Sequence, residues 1–210
     1  MIYSPDHNFL LIKNVKVGGT SVEVELSKVL PDNAVVTDIK PSNPEHQPRN
    51  NSGFYNHMSL SEVMNHLDLS SVKSYVIVRN PYDMVLSHFF HSLHYMNLDW
   101  NKLTKIEQVS LVHRYFNNDD ELSMLKSTKN LYLSDDNEIM VNGFIRYEGG
   151  LEQELNPILR LHEIKEISIN TFEKAHRPDK LKPKDVFLDN HFYEIQKEWA
   201  WEFENLRYNI

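Results

Sequence analysis

The 210-residue sequence contains no cysteine. That excludes a disulfide framework, a thiolate nucleophile and any Cys-based zinc or iron–sulfur centre, and it fits a reducing, intracellular compartment. No apolar run approaches the ~18–20 residues that a membrane-spanning helix needs. The opening Met1-Ile-Tyr-Ser-Pro-Asp-His7 lacks the basic-then-apolar pattern of a signal peptide, so a soluble, cytoplasmic protein is expected. There is no excess of positive charge: 22 Lys and Arg stand against 30 Asp and Glu, a formal net charge of −8. General nucleic-acid binding and polybasic membrane contact are therefore disfavoured. An anionic ligand is not, because a site needs positive charge only locally. The ATP-type loop G-x-x-x-x-G-K-[ST] is also missing, since position 13, five before Gly18, is Lys and the lysines precede the glycines.

What is present begins with Phe9-Leu-Leu-Ile-Lys13-Asn-Val-Lys16-Val17-Gly18-Gly19-Thr20-Ser21. Phe9 to Ile12 has the apolar run of a buried parallel strand. Gly18 and Gly19 allow a sharp turn and a close approach to a ligand. Thr20 and Ser21 are placed to cap a helix through Val22, Val24, Leu26 and Val29, which Pro31 stops. A helix N-terminus attracts anions, and Lys16 adds a full charge, so this loop reads as a phosphate or sulfate site. The same strand–turn–helix also serves as a plain connection in many α/β proteins.

A second stretch, Tyr75-Val-Ile-Val-Arg79-Asn-Pro81-Tyr-Asp83-Met-Val-Leu-Ser87, repeats the logic. Arg79 stands at a strand's carboxyl end, where open parallel sheets bind ligands. Pro81 suits the first turn of a helix. Ser87 lies eight positions on. An Arg fork and a Ser hydroxyl suit one phosphate group; alternatively Arg79 pairs with Asp83 and Ser87 bonds its own helix.

Together, Lys16-Val-Gly-Gly-Thr-Ser21 and Arg79-Asn-Pro-Tyr-Asp-Met-Val-Leu-Ser87 resemble the two donor-binding motifs of sulfotransferases that use 3′-phosphoadenosine 5′-phosphosulfate (PAPS). They look closest to the carbohydrate O-sulfotransferase branch. The resemblance covers residues 9–30 and 73–90 and extends loosely over 143–208, where Phe144-Ile-Arg-Tyr-Glu148 fits the branch's usual strand. It implies a 5′-phosphosulfate site at Lys13, Lys16, Val17, Gly18, Gly19, Thr20 and Ser21, and a 3′-phosphate site at Arg79 and Ser87. It implies no metal, and an acceptor hydroxyl on a glycan or small molecule. Eukaryotic members carry a membrane anchor that this sequence lacks, which points to a bacterial or viral source.

Sulfuryl transfer to a hydroxyl calls for a base, and His is the usual choice near neutral pH. His57 is the candidate. It precedes a helix opened by the capping box Ser59-Leu-Ser-Glu62, as the catalytic His does in the similar carbohydrate enzymes. Glu62 and the histidines of the helix after Pro81 (His88, His91 and His94) are rivals; those three at three-residue spacing also invite a metal reading. A nucleotide kinase, a non-catalytic nucleotide-binding protein and a capsid or host-interaction protein are the alternative functions.

Alternating strands and helices predict one domain over 1–210: a three-layer α/β/α sandwich on a mainly parallel sheet, with a P-loop-like sulfotransferase fold. A second strand is expected over Asn33–Ile39, a strand region over Glu138–Glu148 broken at Asn142-Gly143, and a last one over Glu166–Asn170. Helices over Lys102–Tyr115 and Glu121–Lys129 read as an insertion at 97–137 that shapes acceptor choice or fills space. Thr171 to Lys184 is basic and punctuated by proline; the resemblance implies a loop that closes over the 3′-phosphate side of PAPS, and a solvated loop is the equal alternative. Asp185 to Tyr208 reads as one long amphipathic closing helix.

Overall fold

The computed structural model describes residues 1–170, 176–178 and 180–208, with main chain alone at 119–121, 124 and 127. They fall into two compact units, Met1–Val78 with Thr128–Glu173, and Arg79–Ser127 with Lys174–Ile210.

The first unit is built on a five-stranded sheet, in the order β3-β1-β2-β4-β5. The strands are β1 (Ile2–Ser4), β2 (Phe9–Ile12), β3 (Val35–Val36), β4 (Lys73–Val78) and β5 (Gly143–Arg146). β2 pairs parallel with β4, with Ile12 opposite Val76, and β4 pairs parallel with β5. β1 runs antiparallel to both β2 and β3. Four strands thus point one way, and the sheet is mainly parallel as expected. The exception is a strand the sequence does not advertise. β1 is three residues long and joined to β2 by Pro5–Asn8, and a tight link of that kind permits only antiparallel pairing.

All four residues of β2 are buried, as are Val76 to Val78 of β4. Successive side chains of a strand point to opposite faces, so both faces of the sheet are covered and the sequence reads as a run. One face carries the core of Phe9, Leu11, Ile77 and Ile145, covered by α1 (Gly19–Val29) through Val22 and Leu26 and by α6 (Leu151–Leu161) through Leu155 and Leu159. The i, i+4 spacing puts each pair on one helix face, and each such side chain contributes about 1.5–3 kcal/mol by burial.

Three expected elements differ. Asn33–Ile39 forms a ladder only at Val35–Val36. Arg49, which bridges Val36, sends its guanidinium to the carbonyls of Ser27, Leu30 and Pro31 at the end of α1. Gly143 starts β5 where a break was expected, because the ring of Tyr75 lies against it; a Cβ there would come within 3.0 Å of Tyr75 Cδ1. Glu166–Asn170 is no strand. The Ile167 N–H and carbonyl bond the Asn156 side chain at 3.0 and 2.9 Å, and the Ile169 N–H donates to Glu152 Oε1 at 2.5 Å. Side chains of α6 satisfy that backbone, and Ile167 enters the core.

The second unit is helical: α3 (Pro81–Tyr95), α4 (Lys105–Phe116), α5 (Asp119–Lys126), α7 (Pro183–Val186), α8 (Asp189–Glu198) and α9 (Ala200–Asn205). Asn80 caps α3 by accepting from the Tyr82 N–H, and Pro81 holds its first position. Phe89 packs edge-on against Trp100, Tyr115 and Phe187. The expected closing helix is instead three short ones. Phe187 leaves helical geometry to pack on Phe89, Phe116 and Phe192, and the Leu188 N–H is taken up by His191 Nδ1. Packing outweighs the continuous periodicity of the segment. No helix among the described residues is long and apolar enough to cross a membrane.

Candidate anion-binding and catalytic site

β2 and β4 are parallel neighbours, so their carboxyl ends lie side by side in the sheet. The chain leaves β2 into the loop Lys13–Gly18 and leaves β4 at Val78, directly before Arg79. Sheets of this kind place ligand groups at that edge.

In the loop, Lys16 and Gly18 both take left-handed backbone, with φ of 56° and 75°. Gly18 is the N-cap of α1 and offers no side chain to it, and the first turn holds no acidic residue. Thr20 and Ser21, expected as caps, sit inside that first turn and are buried. The reason is steric. The cap position needs φ > 0, which glycine alone adopts without strain. A Cβ on Gly18 would also stand 2.9 Å from Leu151 Cδ1 and 3.1 Å from the Tyr147 ring. At Gly19 a Cβ would meet Lys13 Cγ at 3.0 Å. Val17 is wholly buried in the core, so it presents only main chain.

Gly18→Ala is therefore expected to destabilise the protein by about 2–4 kcal/mol, the left-handed penalty plus overpacking. Gly53→Ala is the control. It has φ of 83°, but the nearest atoms, on His66, are 3.8 Å away, so only the backbone penalty of about 1–2 kcal/mol applies. Urea melts of the two variants compare them; equal losses would mean that Leu151 does not press on the loop.

His57 and Lys13, 44 positions apart in sequence, meet here: His57 Nδ1 donates to the Lys13 carbonyl at 2.9 Å. A carbonyl only accepts, so Nδ1 carries the hydrogen and Nε2 keeps its lone pair. His57 stands in left-handed backbone, with φ of 62°. Burial first, and the Lys13 ammonium second, pull its imidazolium from 6.5 down to about 4. At neutral pH the ring is a neutral acceptor. The Lys13 ammonium is not directed outward: Nζ lies 2.5 Å from Glu23 Oε2 and both side chains are buried. Glu62, the rival base, completes the expected capping box at the start of α2 (Leu60–Met64), accepting from the Ser59 N–H at 2.8 Å and the Ser59 hydroxyl at 2.6 Å, and it also takes the Tyr55 hydroxyl. Those bonds, Ser59 first, hold its carboxyl below the ordinary range.

In the second unit, Arg79 is buried, with Nη2 4.0 Å from Asp83 Oδ1. The same oxygen accepts from Arg177 Nη1 at 2.6 Å. Asp83, Ser87 and His91 follow one another at one-turn intervals on a face of α3. The Arg177 contact was missed in the sequence; charge of opposite sign was the only signal, at 94 positions' distance. Of the basic segment Thr171–Lys184, residues 171–175 and 179 lie outside the described residues. His88 turns away from its two neighbours: its Nδ1 bonds the Tyr115 hydroxyl at 2.8 Å, whereas His94 and His91 stack on His176 at 3.9 and 5.2 Å. The three histidines therefore share no metal-binding face, and no group of three or more potential ligands gathers among the described residues.

The first unit thus holds Lys13, Lys16, Val17, Gly18, Gly19, Thr20, Ser21 and His57, and the second holds Arg79 and Ser87. No protein-family model matches the chain, and no curated protein matches it. Among solved structures it is similar to mouse sulfotransferase SULT7A1 complexed with PAP, at 14% identity and a TM-score of 0.49, over 96% of this chain and 85% of that one.

Proposed function

We propose that the protein is a sulfotransferase that moves the sulfuryl group of PAPS to an acceptor hydroxyl, on a carbohydrate or a small molecule. The observation that carries this reading is the arrangement of two anion motifs, each following the carboxyl end of one of two adjacent parallel strands. Lys16 and the main-chain N–H groups of Gly18 to Thr20 take the phosphosulfate, at a helix start that carries no acidic side chain; the Ser21 N–H donates to the Gly18 carbonyl at 3.2 Å. Arg79, with Ser87, takes the 3′-phosphate. No metal is required of these residues, since cationic side chains and helix N–H groups neutralise the charge.

The chemistry resembles phosphoryl transfer, an in-line displacement with little covalent work for the protein. The acceptor oxygen bonds to sulfur, the sulfur–oxygen bond to the 5′-phosphate breaks, and adenosine 3′,5′-bisphosphate leaves. Lys16 and the loop N–H groups stabilise charge on that leaving phosphate. The acceptor proton passes to His57 Nε2, the nitrogen left with a lone pair by the bond from Nδ1 to Lys13. In the free protein His57 is a weak base, partly because of Lys13. A bound donor brings negative charge that opposes Lys13, and it moves His57 towards the neutral range where a base works best.

The test is ligand-dependent stability. Adenosine 3′,5′-bisphosphate at ~100 times its dissociation constant is expected to add about 2.7 kcal/mol and raise the melting temperature. ATP with magnesium should do markedly less. Equal stabilisation by ATP favours a nucleotide kinase, and none by the bisphosphate removes the donor assignment.

A further inference from the structure

We propose that Glu23 is a positioning residue that sets His57 through Lys13; the inference rests on the reading of His57 as the base. Glu23 lies on the inner side of α1, one turn beyond the anion loop, and is 1% exposed. Its Oε2 is 2.5 Å from Lys13 Nζ, and its Oε1 accepts from the Met1 nitrogen at 2.8 Å. Lys13, 4% exposed, runs its stem along Gly19, where a Cβ would meet Cγ at 3.0 Å. The main chain of the same Lys13 holds His57 Nδ1. One residue is therefore gripped at both ends: its ammonium by α1, its carbonyl by the base.

The pair calls for a reason beyond stability. Lys and Glu are almost never fully buried unless paired, and removing two charges from water often costs as much as their attraction returns. Apolar side chains of the same volume would fill the space. What they would not do is hold Lys13 at a set rotamer beside the loop while offsetting its charge. The charged groups that act on His57 are Lys13 and the Met1 amine, which acidify it, and Glu23, which opposes them. Glu23 thus keeps the ring oriented by way of Lys13 and keeps it more basic than the lysine alone would allow.

The two partners consequently act on His57 with opposite sign. In Glu23→Gln the lysine charge is no longer offset, so the His57 ring, followed by NMR titration, should become more acidic than in the wild type. In Lys13→Met the stem is kept and the charge is lost, so the ring should become more basic, by more than Glu23→Gln acidifies it. With any active acceptor, Glu23→Gln should lower kcat at least tenfold and leave the KM for PAPS within about threefold. Unchanged His57 titration in both variants, or movement in the same direction, overturns the proposal. If either single variant fails to fold, the double variant Lys13→Met/Glu23→Leu, which removes both side-chain charges and leaves the Met1 amine, carries the test. The lysine effect on His57 is the larger of the two, so the ring should be more basic there, and an unmoved titration overturns the proposal. The NMR readout needs no turnover. Opposite shifts in a protein that binds no bisphosphate would support the Glu23 relay and defeat the transferase reading separately.

Discussion

Replacing His57 with alanine is expected to lower sulfuryl transfer by roughly 10²–10⁴ while leaving adenosine 3′,5′-bisphosphate binding near its original strength. The loss is that of a positioned general base. Retained binding follows from the geometry: His57 gives the loop a single bond, to the Lys13 carbonyl, while the loop's shape is held by Gly18 against Leu151 and by Lys13 on Glu23. Lys16→Ala should differ in kind. It removes charge from the phosphosulfate in ground and transition states alike, so donor affinity should fall together with the rate. The comparison is made at saturating PAPS. Turnover above about a tenth of wild type in His57→Ala is less than a general base is worth and moves the role to another group. Glu62 would be a poor heir, because Ser59 and Tyr55 occupy its carboxylate. His88 would be another, because it is buried against Tyr115. The sign with pH is fixed by the same chemistry: only the neutral ring accepts a proton, so the rate should fall as pH drops through the His57 pKa of the donor-bound enzyme.

Arg79→Ala should weaken bisphosphate binding by about 1.5–3 kcal/mol, the scale of a charge-assisted hydrogen bond, or roughly 10–150-fold. Adenosine 5′-phosphate, which has no 3′ group, should lose far less. Arg79 is buried just ahead of α3, with Nη2 4.0 Å from Asp83 Oδ1, an oxygen that also accepts from Arg177 at 2.6 Å. Calorimetric titration of both ligands separates the readings. Equal losses for the two would make Arg79 a structural residue of α3 and leave the 3′-phosphate without its reader.

The strand–turn–helix at Phe9–Val29, the Asn80-Pro81 start of α3 and the Ser59–Glu62 capping box were legible because each is a local affair. An apolar run makes a buried strand, a pyrrolidine ring suits a first helical turn, and a carboxylate three residues on closes a cap. The mainly parallel sheet was legible for a related reason: helices of adequate length separate β2, β4 and β5, and such crossovers join parallel strands.

The failures share a cause. β1 is too short to show a period, and it exists because β2 offers it an edge. Ile167 and Ile169 carry a strand-like sequence, yet the side chains of Asn156 and Glu152 supply their backbone bonds. The closing helix breaks where Phe187 finds an aromatic cluster. In each case the decision belongs to a partner distant in sequence, which periodicity does not encode.

The candidate site divides along the same line. The sequence by itself determined which residues are its candidates: lysines ahead of a glycine pair, an arginine at a strand end, a histidine before a capped helix. Only the tertiary structure decided what each of them does with its charge. Lys13 turns inward to Glu23, His57 is held neutral with Nε2 bearing the lone pair, and Asp83 is shared by Arg79 and Arg177. Residue type sets the ordinary pKa and the bonds a group is able to make. Burial and a neighbour's charge, which exist only once the chain has folded, set which of those bonds it makes and at what pH.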